Sequence, residues 1–408
     1  MTERLLITGM GAVTPVGNNI DEYWHAILAG QCGVSEISRF DVSRLPVKIA
    51  AEIRNFDATA ILPKSTVRAT SPFIHYSLVA AEEALTMARL KNHDKNRVGI
   101  CMGTAMAGMG QLAFAGAQYE ESNTGKLSPH LVPGSIANMA CSYLGIAHDF
   151  RGPGLTISTA CSAGNDAVIA AASLILADSA DVVVVMGGES ILAPAIISSL
   201  AQAHALSRNN DQPEYASRPF DRERDGFVIG EGGGAIILER ERHALKRGAP
   251  VFAELKGWGN TLDSYHITAP DPEGCGAALC MQKALAHAGL SPQNIDYINA
   301  HGTSTRLGDA AETLALKKAF SNHVPPVSST KGCTGHLMGA GGLTELIACI
   351  KSIEDGIAPP TINLRSPDPD CDLDYIPERA RKMSVNIAMS NAIGFGGQNS
   401  SLIVARYP

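Results

Sequence analysis

Short apolar runs alternate with longer amphipathic segments along most of this chain. The runs at 4–14, 97–104 and 181–187 are rich in aliphatic and β-branched residues, and they predict buried strands. The segments 77–90 and 135–147 have the pattern of helices. Because strands alternate with helices, we expect an α/β protein with a largely parallel sheet that helices cover on both faces.

One apolar run stops at a cysteine and turns directly into a helix. Residues 155–159 suit a short buried strand, and 163–177 are apolar all round, as in a helix with no solvent face. Cys161 is therefore predicted at a strand-to-helix elbow. Unpaired amides and the positive end of the helix dipole favour thiolate over thiol, so we expect a lowered pKa and a nucleophilic sulfur. A small buried structural residue is the alternative interpretation.

The second half of the chain repeats features of the first. Two pairs of segments match in the same order: 84–104 with 284–303, and 230–240 with 394–406. Two matches in one order indicate an internal duplication. Ligands of such sheets bind beyond the carboxyl ends of strands, so matching loops of both halves should converge on one site. The predicted halves are residues 1–248 and 249–408.

Two polar stretches interrupt the alternation. Residues 206–225 are rich in Asn, Arg and Asp, and residues 358–382 contain several prolines and acids. Both stretches predict long surface loops that serve as lid or contact segments.

Composition narrows the classes of function. With 408 residues and 45% hydrophobic content, the chain can bury a substantial core. Its nine cysteines are single, with no CxxC and no Cys/His spacing, so neither a zinc site nor a disulfide framework is predicted. A net charge of −7 argues against nucleic acid as the main partner. With no signal sequence and no apolar run of membrane-spanning length, a cytoplasmic protein is expected.

Two loops of the second half offer partners for the cysteine. His301 follows an apolar strand, and His336 lies five residues after Lys331 in a glycine-flanked turn. Either histidine alone could be a structural hydrogen-bonding residue. Two neutral imidazoles whose N–H groups converge on one carbonyl oxygen would stabilise an enolate or a tetrahedral intermediate. We expect Glu312, on the helix after His301, to pair with Lys331 and so hold the histidine loop.

A glycine turn at 394–397 adds a fourth element, because its backbone can approach a reacting centre closely. Taken alone, such a turn is as readily a plain hairpin or bulge. The other glycine-rich stretches lack the dinucleotide-binding spacing and the Walker A pattern.

Together these motifs resemble those of the β-ketoacyl-[acyl carrier protein] synthases, and the likeness covers essentially the whole chain. It is most similar to the elongating Cys-His-His class, synthase II type, because His336 occupies the third position. The turn at 394–397 lacks the second catalytic cysteine of degradative thiolases. The resemblance implies a duplicated thiolase-like fold with five α-β-α-β-α layers, and usually a homodimer. The motifs are Thr-Ala-Cys-Ser-Ala-Gly (159–164), the Arg/Asp-rich segment 218–227, His-Gly-Thr-Ser-Thr (301–305), Lys-Gly-Cys-Thr-Gly-His (331–336) and Gly-Phe-Gly-Gly (394–397).

The resemblance also implies roles for single residues. Cys161 would accept an acyl group from a carrier-protein thioester, with the amides of Cys161 and Phe395 as oxyanion hole. His301 and His336 would stabilise the enolate left when malonyl carrier protein loses carbon dioxide. No metal or redox cofactor is implied, since the substrates are carried on phosphopantetheine. The further implied positions are Thr303 and Thr305 for the pantetheine arm, Gly394 and Phe395 for gating, Met106 and Ile393 for the acyl pocket, and Lys64, Arg68, Lys126 and Arg208 for carrier-protein docking.

Two other functions stay open at this point. A non-catalytic partner subunit of the chain-length-factor type shares the fold, although such subunits characteristically lose the cysteine that this chain keeps. A condensing enzyme that uses coenzyme A thioesters is the second alternative. Heterodimer formation with another synthase-like chain and a specialised polyketide or polyene pathway are likewise open.

Overall fold

The computed structural model describes residues 3–91, 93–122, 124–321 and 323–408. None of the helices in these ranges combines the length and the apolar character needed to cross a membrane. The strands are Leu5–Val13 (β1), Ser35–Glu36 (β2), Ile49–Ala50 (β3), Val98–Gly103 (β4), Gly154–Ile157 (β5), Val182–Glu189 (β6), Gly232–Arg240 (β7), Ala253–Leu262 (β8), Tyr297–Asn299 (β9), Val327–Ser328 (β10), Ile357–Ala358 (β11), Arg381–Lys382 (β12), Ile387–Gly394 (β13) and Gln398–Ala405 (β14).

The helices begin and end at recognisable signals. Pro72 opens α3, where its missing N–H costs nothing. Gly248 and Gly356 end α8 and α12 in the left-handed conformation. The helices are Ile20–Leu28 (α1), Lys64–Ala69 (α2), Pro72–Ala88 (α3), Met109–Glu121 (α4), Met139–His148 (α5), Ala163–Leu176 (α6), Pro194–Gln202 (α7), Glu241–Arg247 (α8), Cys275–Ala288 (α9), Arg306–Phe320 (α10), Lys331–Thr334 (α11) and Gly341–Asp355 (α12).

The long strands form one sheet in the order β10-β9-β13-β14-β8-β1-β7-β6-β4-β5. This order contains a repeat, because β1-β7-β6-β4-β5 of the first half matches β8-β14-β13-β9-β10 of the second. The halves join where β1 pairs antiparallel with β8, with Leu5 opposite Leu255. Helix α8 ends at Arg247 and β8 begins at Ala253, on either side of the boundary between 1–248 and 249–408.

The prediction of a largely parallel sheet was wrong for the centre of the sheet. Parallel pairing joins β4 to β5 and β6, and β9 to β10 and β13. The four central strands β14, β8, β1 and β7 pair antiparallel. The reason lies in the connections: Gly232 of β7 starts opposite Glu189 at the carboxyl end of β6, so the chain returns without a crossover.

Helices form three layers around the folded sheet. Helices α6 and α12 pack against strands of both halves and form the middle layer. Helix α3 covers β1, β6 and β7 on one outer face, while α9 covers β8 and β14 on the other and carries α10. The five α-β-α-β-α layers that the resemblance implied are therefore present.

Two local predictions need correction. Strand β5 is the edge strand of the sheet and is not buried, since Leu155 is 41% exposed. The last turn of α6 reaches solvent at Leu176. Both segments are apolar without being covered within this chain.

The two polar stretches are irregular, but they are not simple surface loops. Phe220 and Arg224 are fully buried, and the Phe220 ring stacks on Tyr375 at a centroid distance of 3.8 Å. The Asp221 carboxylate accepts the backbone N–H groups of Arg365 and Ser366 at 2.9 and 2.8 Å. The stretches 206–225 and 358–382 therefore pack on each other beside the histidine loop.

Candidate active site

Cys161 lies at the predicted elbow, in the single turn Ala160–Ser162 between β5 and α6. Ala160 is held at φ 51°, an uncommon conformation for a residue with a side chain, and it marks the sharpness of the turn. The Ser162 hydroxyl is within hydrogen-bond distance of two carbonyl oxygens of the second half, those of Ala392 at 3.1 Å and Gln398 at 2.7 Å. The second half thus helps to hold the elbow.

The predicted lowering of the Cys161 pKa is wrong. Burial raises the pKa of this thiol to about 11, even though the Phe395 N–H and the Lys331 ammonium favour the thiolate. Only 9% of the residue is exposed, so loss of hydration outweighs the helix start. The sulfur is a thiol at neutral pH and needs a base, and His336 Nε2 lies 3.0 Å from it.

His336 is positioned by the first half of the chain. Its backbone N–H donates to the Val228 carbonyl at 2.8 Å, and its carbonyl accepts the Gly230 N–H at 2.9 Å. Its ring meets the Phe227 ring nearly at right angles. Burial and the nearby Lys331 ammonium lower the pKa of His336 well below its usual value, so the imidazole is neutral.

His301 follows β9 and is fixed through its backbone. The Glu312 carboxylate accepts the N–H groups of His301 and Gly302, both at 2.8 Å. Burial, then Lys331 and His336, lower the pKa of His301 well below its usual value. The reactive nitrogen and sulfur atoms of Cys161, His301 and His336 all lie within 4.8 Å of one another.

Lys331 pairs with a different carboxylate from the one that the sequence suggested. Its ammonium contacts Glu345 on α12, and both side chains are buried. The Glu312 carboxylate accepts backbone N–H groups of the histidine loop instead, so the predicted Lys331–Glu312 ion pair was wrong. Glu312 still holds that loop, but by accepting amide hydrogen bonds.

Sequence reasoning missed Glu345 and also Glu189, at the end of β6. The Glu189 carboxylate accepts the N–H groups of Ala105, Met106 and Gly339 at 2.7, 3.1 and 3.2 Å. Burial raises its pKa to about 7. The Glu189 carboxylate thus joins the loop after β4 to the turn that precedes α12, beside Cys161. The sequence signal that could have indicated Glu189 is its position at the end of a buried, valine-rich run.

The glycine turn lies against the nucleophile. A Cβ atom on Gly394 would lie 3.1 Å from the Cys161 nitrogen and 3.1 Å from the Thr159 oxygen, so the elbow leaves little space for a side chain. The Phe395 N–H points at the thiol, while 38% of Phe395 is exposed. This places a backbone donor next to the sulfur and a partly exposed aromatic side chain on the same residue.

The remaining predicted positions are only partly brought together. The Thr303 and Thr305 hydroxyls lie 3.2 Å apart in the loop of His301. Met106 packs against the apolar cluster that contains Cys161, whereas Ile393 packs against the apolar cluster of the second half. The predicted docking residues are exposed and have no ion-pair partner among the described residues: Lys64, Arg68, Lys126 and Arg208.

The cysteine and two histidines are also ligands that zinc favours. However, the Lys331 ammonium lies close enough to shift the pKa values of Cys161, His301 and His336. A fixed positive charge at this distance disfavours a second cation and favours bound anionic oxygen. The cluster is therefore suited to stabilising an oxyanion.

Models of known families match the chain along most of its length. Residues 2–244 match the β-ketoacyl synthase N-terminal domain, and residues 252–365 match the C-terminal domain. The chain belongs to the β-ketoacyl synthase family. The fold implied by the resemblance is confirmed by solved structures, including a β-ketoacyl synthase from Burkholderia phymatum, with a TM-score of 0.92, 33% identity and full coverage of both chains.

Two curated relatives are similar to this β-ketoacyl synthase over its whole length. The 3-oxoacyl-[acyl-carrier-protein] synthase 2 of Coxiella burnetii is 43% identical over 407 residues, covering 99% of this chain and 98% of its own. The enzyme of the same name from Synechocystis is 41% identical, with 99% and 98% covered. A ketosynthase solved with its acyl-carrier protein and hexaketide superimposes with a TM-score of 0.89 at 31% identity, and both chains are fully covered.

Proposed function

We propose that this β-ketoacyl synthase elongates acyl chains by decarboxylative condensation with malonyl-[acyl carrier protein]. The acyl group is carried on Cys161, and the product is a β-ketoacyl-[acyl carrier protein]. The observation that carries the proposal is a buried thiol 3.0 Å from a neutral imidazole, with a second neutral imidazole beside it. The names of the relatives at about 40% identity support the same reaction.

The first step is transfer of the acyl group to Cys161. The thiol gives its proton to His336 Nε2, and the sulfur attacks the thioester carbonyl. The backbone N–H groups of Cys161 and Phe395 stabilise the oxyanion of the tetrahedral intermediate. When the intermediate collapses, the carrier thiolate leaves and takes the proton from His336, which becomes neutral again.

The second step forms the carbon–carbon bond. After acylation the single proton of neutral His336 moves from Nδ1 to Nε2, so the thioester carbonyl of malonyl carrier protein accepts N–H hydrogen bonds from both His301 and His336, and loss of carbon dioxide leaves a stabilised enolate. The enolate carbon attacks the acyl-Cys161 carbonyl, the cysteine thiolate leaves, and it takes a proton from water to restore the thiol. The lowered pKa values of both histidines suit this step, because neutral imidazoles donate without carrying a charge. We propose that no metal or redox cofactor takes part, and turnover should withstand EDTA.

Acyl carrier protein is the proposed donor and acceptor of substrate. Carrier proteins are usually acidic, and this chain also has a net charge of −7, so docking needs a local basic surface. Lys64 and Arg68 project from the short helix α2 without ion-pair partners in the described ranges, and Lys126 and Arg208 are similarly exposed. We assign docking to these four residues.

We also propose that the chain forms a homodimer through the face around β5. This strand leaves one edge unpaired in the described chain, and exposed edges invite pairing with another strand. Large apolar side chains on nearby segments are exposed as well, which is typical of protein interfaces. They are Leu112, Val132, Ile136, Ile146 and Leu155. Sedimentation of the purified chain separates a homodimer from a monomer that awaits another synthase-like chain.

Reconstitution tests the proposed reaction. The purified chain is mixed with an acyl carrier protein loaded with a saturated acyl group and with malonyl carrier protein, and products are read by intact mass spectrometry. We expect a β-ketoacyl carrier protein two carbons longer, and none with Cys161→Ala. Equal rates with acyl-coenzyme A would favour the coenzyme A alternative. Product formation only after a second synthase-like chain is added would favour the partner-subunit alternative.

A further inference from the structure

A cavity lies at the edge of the sheet opposite Cys161. Its volume is about 730 Å³, within the range of small-molecule sites. Val98 and Val182, the first residues of β4 and β6, line its floor, whereas Cys161 lies beyond the carboxyl ends of these strands. Helix α8 and residues Arg89, Lys91, His93 and Asp94 form its walls. The site proposed for condensation does not use this cavity.

Positive charge is concentrated in this cavity although the whole chain is acidic. The lining holds five guanidinium or ammonium groups and two carboxylates, in a protein of net charge −7. The two carboxylates are those of Asp94 and Asp181. The cationic residues are Arg89, Lys91, Arg97, Lys246 and Arg247.

Part of this charge has a structural explanation. Arg97 pairs with Asp178 and Asp181, and Arg247 pairs with Glu239 and donates to the Ala88 carbonyl. Three cations are left over, because no ion pair involves their charged groups among the described residues. They are Arg89, Lys91 and Lys246.

His93 supplies an independent observation. Both ring nitrogens are shielded from water, and neither has a hydrogen-bond partner in the part of the chain that the structure describes. The ring lies edge-on to Phe150 at a centroid distance of 5.5 Å, so packing holds it in place along the cavity wall. Buried polar groups without partners are rare and costly, and a small rotation of the ring towards the cavity would let a ligand oxygen satisfy one of these nitrogens.

We infer that this cavity binds a phosphorylated small molecule through its phosphate or pyrophosphate group. Several cations that converge on a concave site suit a multiply charged oxyanion better than a single carboxylate. The concave shape and the volume of the cleft favour a small molecule over the flat surface of a protein partner. The site is separate from Cys161, so its occupant is neither the acyl chain nor the pantetheine arm.

Calorimetric titration of the full-length protein with inorganic pyrophosphate at low ionic strength tests the inference. We expect saturable binding with one site per chain. The double variant Lys91→Glu/Lys246→Glu should weaken binding at least about tenfold, because two attractions become repulsions. The control Lys283→Glu/Lys382→Glu changes two exposed lysines outside the cavity and the net charge equally, and should bind as wild type does.

His93→Phe sharpens the test, because it keeps an aromatic ring against Phe150 and removes both nitrogens. Its affinity for pyrophosphate should fall severalfold. Absence of saturable heat with the wild-type protein would overturn the inference. Equal weakening of pyrophosphate binding in both double lysine variants would also overturn it. The effect would then come from the net charge of the protein and not from the cavity. Unchanged affinity in His93→Phe would likewise overturn the inference, because the unpartnered histidine is one of its premises. Binding is measured directly, so failure here would leave the proposed condensation untouched.

Discussion

Cys161 shows how far a single residue can be understood from its neighbours in sequence. The β-branched run before it and the apolar helix after it placed the sulfur at an elbow, as the structure has it. Its pKa depends on how completely the second half closes over it, and that is a property of distant contacts. Burial therefore reversed the direction that the helix start alone had suggested.

Alkylation kinetics test the protonation state of Cys161. Its pKa is raised to about 11, so the thiolate fraction, and with it the rate of reaction with iodoacetamide, should increase about tenfold per unit between pH 7 and 9. The measurement is the pH dependence of labelling at Cys161, resolved by peptide mass. It uses a Cys275→Ser background, because Cys275 is exposed. A rate that levels off below pH 8 would mean that a thiolate–imidazolium pair with His336 already exists.

Substitutions of the two histidines should affect acylation and decarboxylation differently. Replacing either His301 or His336 by Ala should slow malonyl decarboxylation by about 10²–10³-fold, the usual loss for one oxyanion donor. Acylation of Cys161 should survive in His301→Ala, because the base within 3.0 Å of the sulfur is His336. His323→Ala, at an exposed histidine, is the control. Blocked acylation with intact decarboxylation in His301→Ala would contradict these roles.

At the scale of elements, the site is built where α10, α11 and α12 meet the ends of strands. The sequence analysis predicted an ion pair between Lys331 and an acidic residue, and it chose Glu312 on α10, the helix that follows His301. In the structure the partner is Glu345 on α12. The sequence analysis did not single out Glu345, since nothing local shows that α12 lies in the middle layer. Its carboxylate is buried only because both half-sheets cover it.

A double-mutant cycle separates the two carboxylates. Removing one partner of a buried ion pair leaves an uncompensated charge, so Lys331→Met and Glu345→Gln should each cost about 3–5 kcal/mol in the free energy of unfolding. The double variant should be less damaging than the two singles together, with a coupling of about 2 kcal/mol. The cycle of Lys331→Met with Glu312→Gln should show little coupling. Urea denaturation measures both cycles, and stronger coupling to Glu312 would contradict the observed pairing.

At the scale of the whole molecule, most strands were well predicted, whereas the antiparallel pairing of the central strands was not. The run at 97–104 became Val98–Gly103, and 181–187 became Val182–Glu189, because β-branched runs mark strands locally. Antiparallel pairing at the centre depends on whether a connection crosses the sheet, which no local pattern records. The repeated motifs pointed to the duplication, and the repeated strand order shows how it places loops of both halves at one site.

Charge reversal tests the docking surface. Lys64→Glu with Arg68→Glu should raise KM for acyl carrier protein and flatten its dependence on salt, because an attraction to an acidic partner is lost. The kcat for a short pantetheine thioester, which needs no docking, should stay near wild type. Lys283→Glu/Lys382→Glu again serves as the control for net charge. Equal losses on both substrates would indicate damaged structure, and no loss on either would place docking elsewhere.

The central claim is that Cys161 carries the growing chain between two half-reactions. Intact mass spectrometry follows it directly: the enzyme is first incubated with an acyl-loaded carrier protein, then isolated and mixed with malonyl carrier protein. We predict one acyl adduct per chain, absent in Cys161→Ala, that disappears as a β-ketoacyl carrier protein two carbons longer appears. An adduct that persists in Cys161→Ala, or one that malonyl carrier protein does not discharge, would contradict the account.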